Sequence, residues 1–420
     1  MSIDNIQIPQ TIGEKLINSP FGLPAISRQS AQTVLSKSAS SAIAIEGLAT
    51  GTPECIIKQS EASEFLSQLG SLKKNQKLIK KLYQNTGIDT RHLAVNLLSE
   101  EVFDFSQQPG NIQARMEMFQ KIAIPLAEQV AKKALFFAAR DGAADAKEIV
   151  DSIGLVVFVT STGFVAPGVD AALIERLGLR RNTARVTVNF MGCAAAMNGI
   201  RIAADHVKAY PNHKALVVCL ELSSINAVFQ DDLNDIIIHS LFGDGCAAVV
   251  IGARDDNSIQ QVGKRPGKII IRDHLSYLVE DTQDGISLGV RDNGISCILS
   301  RQLPNYIESR VGSIVESFLS SHQLTKAEID LWAVHPGGPR IIQKVQSSLD
   351  ISDKQTAASW LILQKYGNLL SAAILFVLEH MLHNCVTLDS ESIEDTSSRS
   401  GIAFSFSPGV GVEGFLFEVI

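Results

Sequence analysis

The sequence predicts an α/β protein with a mostly parallel sheet, built as two related halves. Three observations predict it. From residue 41 onward, short apolar, β-branched runs alternate with longer stretches of helical periodicity. One run, IGLVVFVTSTG (153–163), stays apolar until its closing turn, the pattern of a strand covered on both faces. The order strand, turn, small-residue helix also recurs on either side of a polar stretch at 254–267.

The elements follow in order. Residues 1–40 are rich in Ser, Gln and Pro and read as a weakly ordered extension. SAIAIEGLATGTP (41–53) opens as a strand and closes on Gly and Pro. SEASEFLSQLGSLKKNQKLIKKLYQNTGI has helical periodicity and a run of lysines, and 116–139 forms a helix ending before Gly142. RVTVNFMGC (185–193) is a strand, and AAAMNGIRIAADHVKAYP is the helix after it. KALVVCLELSS (214–224) is a further strand, and SLFGDGCAAVVIGA (240–253) carries a Gly-Asp-Gly turn and another.

RDDNSIQQVGKRPG (254–267) divides the chain into halves at 41–254 and 266–420. The second half reads as a helix at 301–322, the strand IDLWAVHPGG (329–338) and a helix at 339–350. An apolar helix at 369–384 follows a Gly-Asn turn. SIEDTSSRS is a polar loop, and GIAFSFSPGVGVEGFLFEVI is a closing hairpin.

Composition limits the function. With 37 Lys+Arg against 44 Asp+Glu, a chain-wide basic surface for nucleic acid is not expected. The six cysteines form no CxxC pair, so neither a zinc site nor a disulfide framework is legible, and a reducing compartment fits. No apolar run reaches the roughly 18 residues of a membrane span; the longest is broken by Lys365, Asn368 and Glu379. The N-terminus lacks a basic start and an apolar core, which points away from a signal peptide and towards a cytoplasmic protein.

Three residues carry the chemistry. Cys193 follows a strand and Gly192 and opens a run of alanines. A thiol at a helix N-terminus is biased toward thiolate; a plain core cysteine is the competing reading. His335 ends a strand before Pro336, Gly337 and Gly338, aimed at whatever crevice lies there, unless it is simply a satisfied histidine. Asn368 opens a helix, where capping alone would explain it. Together they form a chemical set. A thiolate accepts an acyl group, and an imidazolium beside it raises the thiolate fraction. A His N–H and an Asn amide both donate to a thioester oxygen, stabilising the enolate left when a malonyl group loses CO2.

NFMGCAAAMNGI, SLFGDGCAAVVIGA, WAVHPGGPRII and KYGNLLSAAILFVLE stand in the order found in type III polyketide synthases, and VTSTGFVAPGVDAALIERLGL also resembles that family. The resemblance to these chalcone synthase-like enzymes covers roughly residues 40–420, and it lies closer to microbial and protist members than to plant ones. It implies the thiolase fold, layered αβαβα from two duplicated halves, and a homodimer. It implies CoA thioesters as substrates, with no metal or organic cofactor. By this resemblance Cys193 matches the nucleophile, and His335 and Asn368 match the pair that activates malonyl-CoA. Phe242 matches the gatekeeper between CoA tunnel and cavity, and Lys77, Lys81 and Arg91 match CoA-phosphate contacts.

The departures bear on substrate. SFSPG (405–409) replaces a GFGPG loop. Leu370 stands where a small residue lines the cavity. Ala166 replaces a larger Met near the dimer interface, and Cys297 stands near a second aromatic gatekeeper. These exchanges point to a fatty acyl-CoA starter extended by a few malonyl units to a pyrone, resorcinol or phloroglucinol. Two alternatives share the motifs: a single-condensation ketoacyl-carrier-protein synthase III, and an inactive thiolase-fold scaffold.

Overall fold

The computed structural model describes residues 41–108, 110–139, 146–229, 232–255, 268–389 and 398–420. The extension at 1–40, nearly all of the divide at 254–267 and most of the loop at 392–400 lie outside the described residues.

The first half begins with β1 (Ser41–Gly51), β2 (Cys55–Lys58) and helices α1 (Gln59–Gln68) and α2 (Gln76–Gln84). Then come β3 (Thr90–Leu93), α3 (Glu100–Gln107), α4 (Ile112–Ala139) and α5 (Ala146–Ser152). The half closes with β4 (Ile153–Thr160), α6 (Val169–Arg176), β5 (Ala184–Asn189), α7 (Ala195–Ala209), β6 (Lys214–Leu222), α8 (Leu233–Leu241) and β7 (Asp244–Asp255).

The second half holds β8 (Ile269–Leu278), β9 (Ile286–Arg291), β10 (Gly294–Leu299), α9 (Leu303–Ser321) and β11 (Leu331–Val334). It ends with α10 (Pro339–Leu349), α11 (Ala357–Tyr366), α12 (Ala373–Asp389), β12 (Arg399–Ser407) and β13 (Gly411–Val419).

Nine strands form one sheet in the order β11-β12-β13-β8-β1-β7-β6-β4-β5. The duplication is visible in its pairing. In the first half β4 runs parallel to β6, β6 antiparallel to β7, and β7 antiparallel to β1. The second half repeats this: β11 parallel to β12, then β13 and β8 each antiparallel to the strand before. Ile43–Ile45 of β1 pair with Ile269–Ile271 of β8 and join the halves.

Helices α7 and α12 each pack against strands of both halves, in a core holding Ala196, Ile200, Ile374 and Val377. Outside, α4 and α6 cover the first half, and α9 and α10 cover the second. This is the five-layered α/β arrangement that the resemblance implies. The small residues after Cys193 serve it: Ala195, Ala196, Gly199 and Ala203 are buried and let α7 lie close against strands of both halves. Residues Ser41–Ile420 form one compact unit, so the halves share a core.

Several expectations need correction. The large sheet is mixed, not mostly parallel: β4–β5, β4–β6 and β11–β12 pair in parallel, and its other five pairings are antiparallel. Gly-Asp-Gly is not a turn: Asp244 and Gly245 begin β7. Asp244 is fully buried and accepts from Ala94 N at 2.6 Å and Ser224 N at 2.9 Å, so its carboxylate ties two loops to the strand. The segment after Pro167, assigned no element from the sequence, contains α6. Helix α8 has a β-branched core, Ile236–Ile238, that masks it; Asp232 caps its start, accepting from Asn234 N and Asp235 N. The lysine-rich stretch is broken by a short 3-10 turn at Gly70–Asn75.

Candidate active site

Strand β5 delivers Cys193. Gly192, at φ +58°, turns the chain into a one-turn helix, Gly192–Ala194, that continues into α7. The Gly192 N–H donates to Ser161 Oγ at 3.1 Å, which fixes the turn to the end of β4. Cys193 is partly buried. Burial pushes its thiol up, with Cys297 and Glu221 adding to the effect, while the Asn368 side chain acts against it.

Strand β11 delivers His335. Its backbone N–H bonds to Phe404 O at 3.1 Å, extending the ladder by one residue. The ring is buried, and neither ring nitrogen has a protein partner. Burial pushes its pKa down to about 3, so the imidazole is neutral, with one N–H to donate.

Asn368 is held by its backbone. Its N–H bonds to Leu241 O at 2.8 Å, and its carbonyl accepts from Gly243 N at 3.0 Å, beside a bridge to Phe242. A Cβ on Gly243 would meet Tyr366 O at 2.2 Å, so only glycine permits this pairing. Asn368 Oδ1 accepts from Leu370 N at 2.8 Å, which fixes the amide. Nδ2 then lies 3.9 Å from Cys193 Sγ and donates to Gly337 O at 3.3 Å. Leu370 is held at φ +49°, a conformation costly for a branched side chain.

The three residues come from three elements and both halves, and they line one cavity. A second cavity adjoins it. Phe242, Leu288, Cys297 and Leu370 line both. Phe242, Cys297 and Leu370 are buried and pack together beside Cys193, so three of the pocket residues form the wall between the chambers. Proline 408 packs on Gly192, and Gly409 keeps φ +71°, so the loop retains its turn despite the exchanged glycines.

Other expected positions fall elsewhere. Arg91 is only 1% exposed and meets no solvent anion. Its Nε donates to Gln59 Oε1 at 3.0 Å, and Nη1 donates to the carbonyls of His239 and Phe242. It is a clamp on the C-terminal end of α8, where a cation suits the helix dipole. Ala166 is exposed and lines neither cavity. Lys77 and Lys80 line an outer groove with Lys58. Lys81 is exposed but lies outside that groove's lining. Burial disfavours the charged forms of both the Cys193 thiol and the His335 imidazole.

Sequence reasoning missed Glu221. It is fully buried at the end of β6 and accepts from Ser161 N at 2.9 Å, Thr162 Oγ1 at 2.8 Å and Ser371 Oγ at 2.5 Å. These bonds tie the loop after β4 to the segment after Asn368. The available signal was one acid inside the apolar run KALVVCLEL. Among the described residues no group of His, Cys, Asp and Glu could hold a metal ion.

Two family models match the chain in tandem: the N-terminal domain of chalcone and stilbene synthases over residues 28–255, and their C-terminal domain over 272–420. The chain belongs to the chalcone and stilbene synthase family. As a type III polyketide synthase it is an acyltransferase acting on CoA thioesters. Its relatives include the "Alpha-pyrone synthesis polyketide synthase-like Pks18" of Mycobacterium tuberculosis, 48% identical over 90% of this chain and 91% of the relative. The 1,3,6,8-tetrahydroxynaphthalene synthase of Streptomyces peucetius is 28% identical over 92% of each chain. Among solved structures, PKS-I from the brown alga Ectocarpus siliculosus superposes with a TM-score of 0.83 at 37% identity, covering 90% of this chain and 99% of that one. No helix among the described residues is long and apolar enough to cross a membrane.

Proposed function

We propose that this type III polyketide synthase loads an aliphatic acyl-CoA on Cys193, extends it with malonyl-CoA and releases it as an alkyl-α-pyrone. The observation that carries the reading is the convergence of Cys193, His335 and Asn368 on one cavity.

In this reading the Cys193 proton passes to His335 as the acyl carbonyl approaches, and the thiolate displaces CoA to form an acyl-thioester. The helix N-terminus stabilises the transient thiolate. The His335 proton then leaves with CoA, so the imidazole is again neutral when malonyl-CoA enters. Loss of CO2 leaves an enolate whose oxygen takes hydrogen bonds from the His335 N–H and Asn368 Nδ2. The apolar face of Phe242 favours losing the charged carboxylate. The carbanion attacks the acyl-thioester, frees the Cys193 thiolate and leaves a β-ketoacyl-CoA for another round. Attack of an enol oxygen on the terminal thioester closes the pyrone and releases CoA.

Ile286, Leu299, Leu303 and Ile307 line the reaction cavity and support an aliphatic chain. The name of the mycobacterial relative supports the pyrone. Strand β5 ends the sheet with an open edge, Val186 and Phe164 being 37% and 39% exposed, which supports a homodimer across that edge. The six cysteines are free thiols, which supports a cytoplasmic enzyme. Lys58, Lys77 and Lys80 are the cations proposed for CoA phosphates.

Incubation with an acyl-CoA panel and malonyl-CoA, without carrier protein, tests the reading by mass spectrometry of products. Pyrones are expected. A dependence on carrier protein with a single condensation would move the enzyme to the ketoacyl synthase III reaction.

A further inference from the structure

The second chamber has a polar end that the condensation chemistry does not use. Helix α8 points Asp235, Ile238 and Phe242 into it from successive turns, so the gatekeeper and a carboxylate share one face. Asp235 is 6% exposed. Its Oδ1 meets Arg291 Nη1 at a long 3.5 Å, while Oδ2 is buried with no hydrogen-bond partner. Ser223 Oγ, on the same chamber wall, is also buried and unpartnered. Asn226, between them, is committed: it donates to Thr162 O and accepts from Ile295 N.

Two residues of one cavity wall thus each carry a buried, unpartnered polar atom, and together they call for a ligand that supplies a donor to Asp235 and a partner to Ser223. A hydroxyl meets both demands. An ammonium group would face Arg291, and a carboxylate would face Asp235, so a neutral donor fits best. We propose that this chamber selects acyl starters carrying a hydroxyl at the end remote from the thioester, and that Asp235 is the specificity-determining residue, accepting that hydrogen bond on Oδ2. This rests on the acyl-CoA reading above and narrows it from a plain to a hydroxylated aliphatic chain. A methyl terminus would leave Oδ2 without a partner where a hydroxyl would satisfy it, which is the basis of discrimination.

The test compares kcat/KM for acyl-CoAs of increasing length, each with a methyl or a hydroxymethyl end, in the wild type, Asp235→Leu and Asp235→Asn. Circular dichroism melting checks folding. Binding of the matching free alkanoic and ω-hydroxyalkanoic acids is measured by calorimetry in parallel. At one or more chain lengths the wild type is expected to favour the hydroxylated starter by about tenfold or more. Asp235→Leu should abolish or reverse that preference, and Asp235→Asn, which keeps an acceptor oxygen, should retain part of it. If Asp235→Leu does not fold, Asp235→Asn against wild type carries the comparison, with a weakened preference expected. Equal treatment of both ends at every length in both assays, or a preference unchanged by substitution, overturns the inference. If the hydroxy acids bind preferentially through Asp235 but no acyl-CoA is extended, the inference stands and the polyketide reading fails.

Discussion

At the residue scale the site is one of neutral groups held close. Burial drives the Cys193 thiol and the His335 imidazole toward their uncharged forms, so in the proposed mechanism charge appears only as protons move between them during loading. In the proposed mechanism His335 then serves in decarboxylation as a hydrogen-bond donor. His335→Ala should slow CO2 release from malonyl-CoA by about 10²–10³-fold, and His335→Gln, which keeps an N–H, should lose less. Equal loss in both variants would remove the donor role.

Glu221 gives a second residue-scale prediction. Burial raises its pKa from the ordinary 4.5 to about 7, so the folded protein binds this proton more tightly than the unfolded chain. The stabilisation from this group is therefore present at low pH and is lost as pH rises from about 4.5 through about 7. The loss amounts to roughly 3 kcal/mol at most. Calorimetric melting of Glu221→Gln should show a smaller decline in Tm between pH 5 and pH 8 than the wild type. An unchanged decline would place the pH dependence elsewhere.

At the element scale, helix α8 links what the sequence keeps apart. It carries Asp235 on one face, ends at Phe242, and is pinned there by Arg91 and by the backbone of Asn368. Arg91→Gln should destabilise the fold by about 2–4 kcal/mol and lower kcat, with little change in KM for malonyl-CoA, because it disturbs Phe242 rather than the CoA phosphates. Replacing Lys77 and Lys80 together by Ala should do the reverse: KM rises, more so at low salt, and Tm hardly moves. Steady-state kinetics and melting curves separate the two patterns.

What was legible at this scale follows from locality. Cys193, His335 and Asn368 each sit at the end of a strand or the start of a helix, flanked by glycine or small residues, and short-range chemistry marks them. Arg91 was misread because its partners, Gln59 and His239, are distant in sequence, and a cation near a lysine run looks solvated until those partners close over it. Helix α8 was hidden because its isoleucines are β-branched. Glu221 and Asp235 were silent because one acid in an apolar segment has no motif.

At the scale of the whole molecule, the two related halves are neither separate domains nor separate functions. The first supplies Cys193 and Phe242; the second supplies His335, Asn368 and Cys297. Helices α7 and α12 each need strands of both halves to cover them, so residues 41–255 expressed alone should lack a cooperative melting transition, as should 268–420 alone. A sharp transition in either piece would contradict the shared core. The sequence made the strand–helix alternation and the duplication readable, since both rest on periodicity. The joining of the halves through β1 and β8 rests on pairing between segments more than 200 residues apart, which no local pattern encodes.

The central claim is that Cys193 carries the acyl chain within a cavity completed by the other half. Intact-protein mass spectrometry after brief incubation with an acyl-CoA tests it most directly. The wild type should gain the mass of one acyl group, mapped to the peptide containing Cys193 and discharged on adding malonyl-CoA with release of pyrone, while Cys193→Ala gains none. Acylation that persists in Cys193→Ala, or that malonyl-CoA does not discharge, would contradict the account.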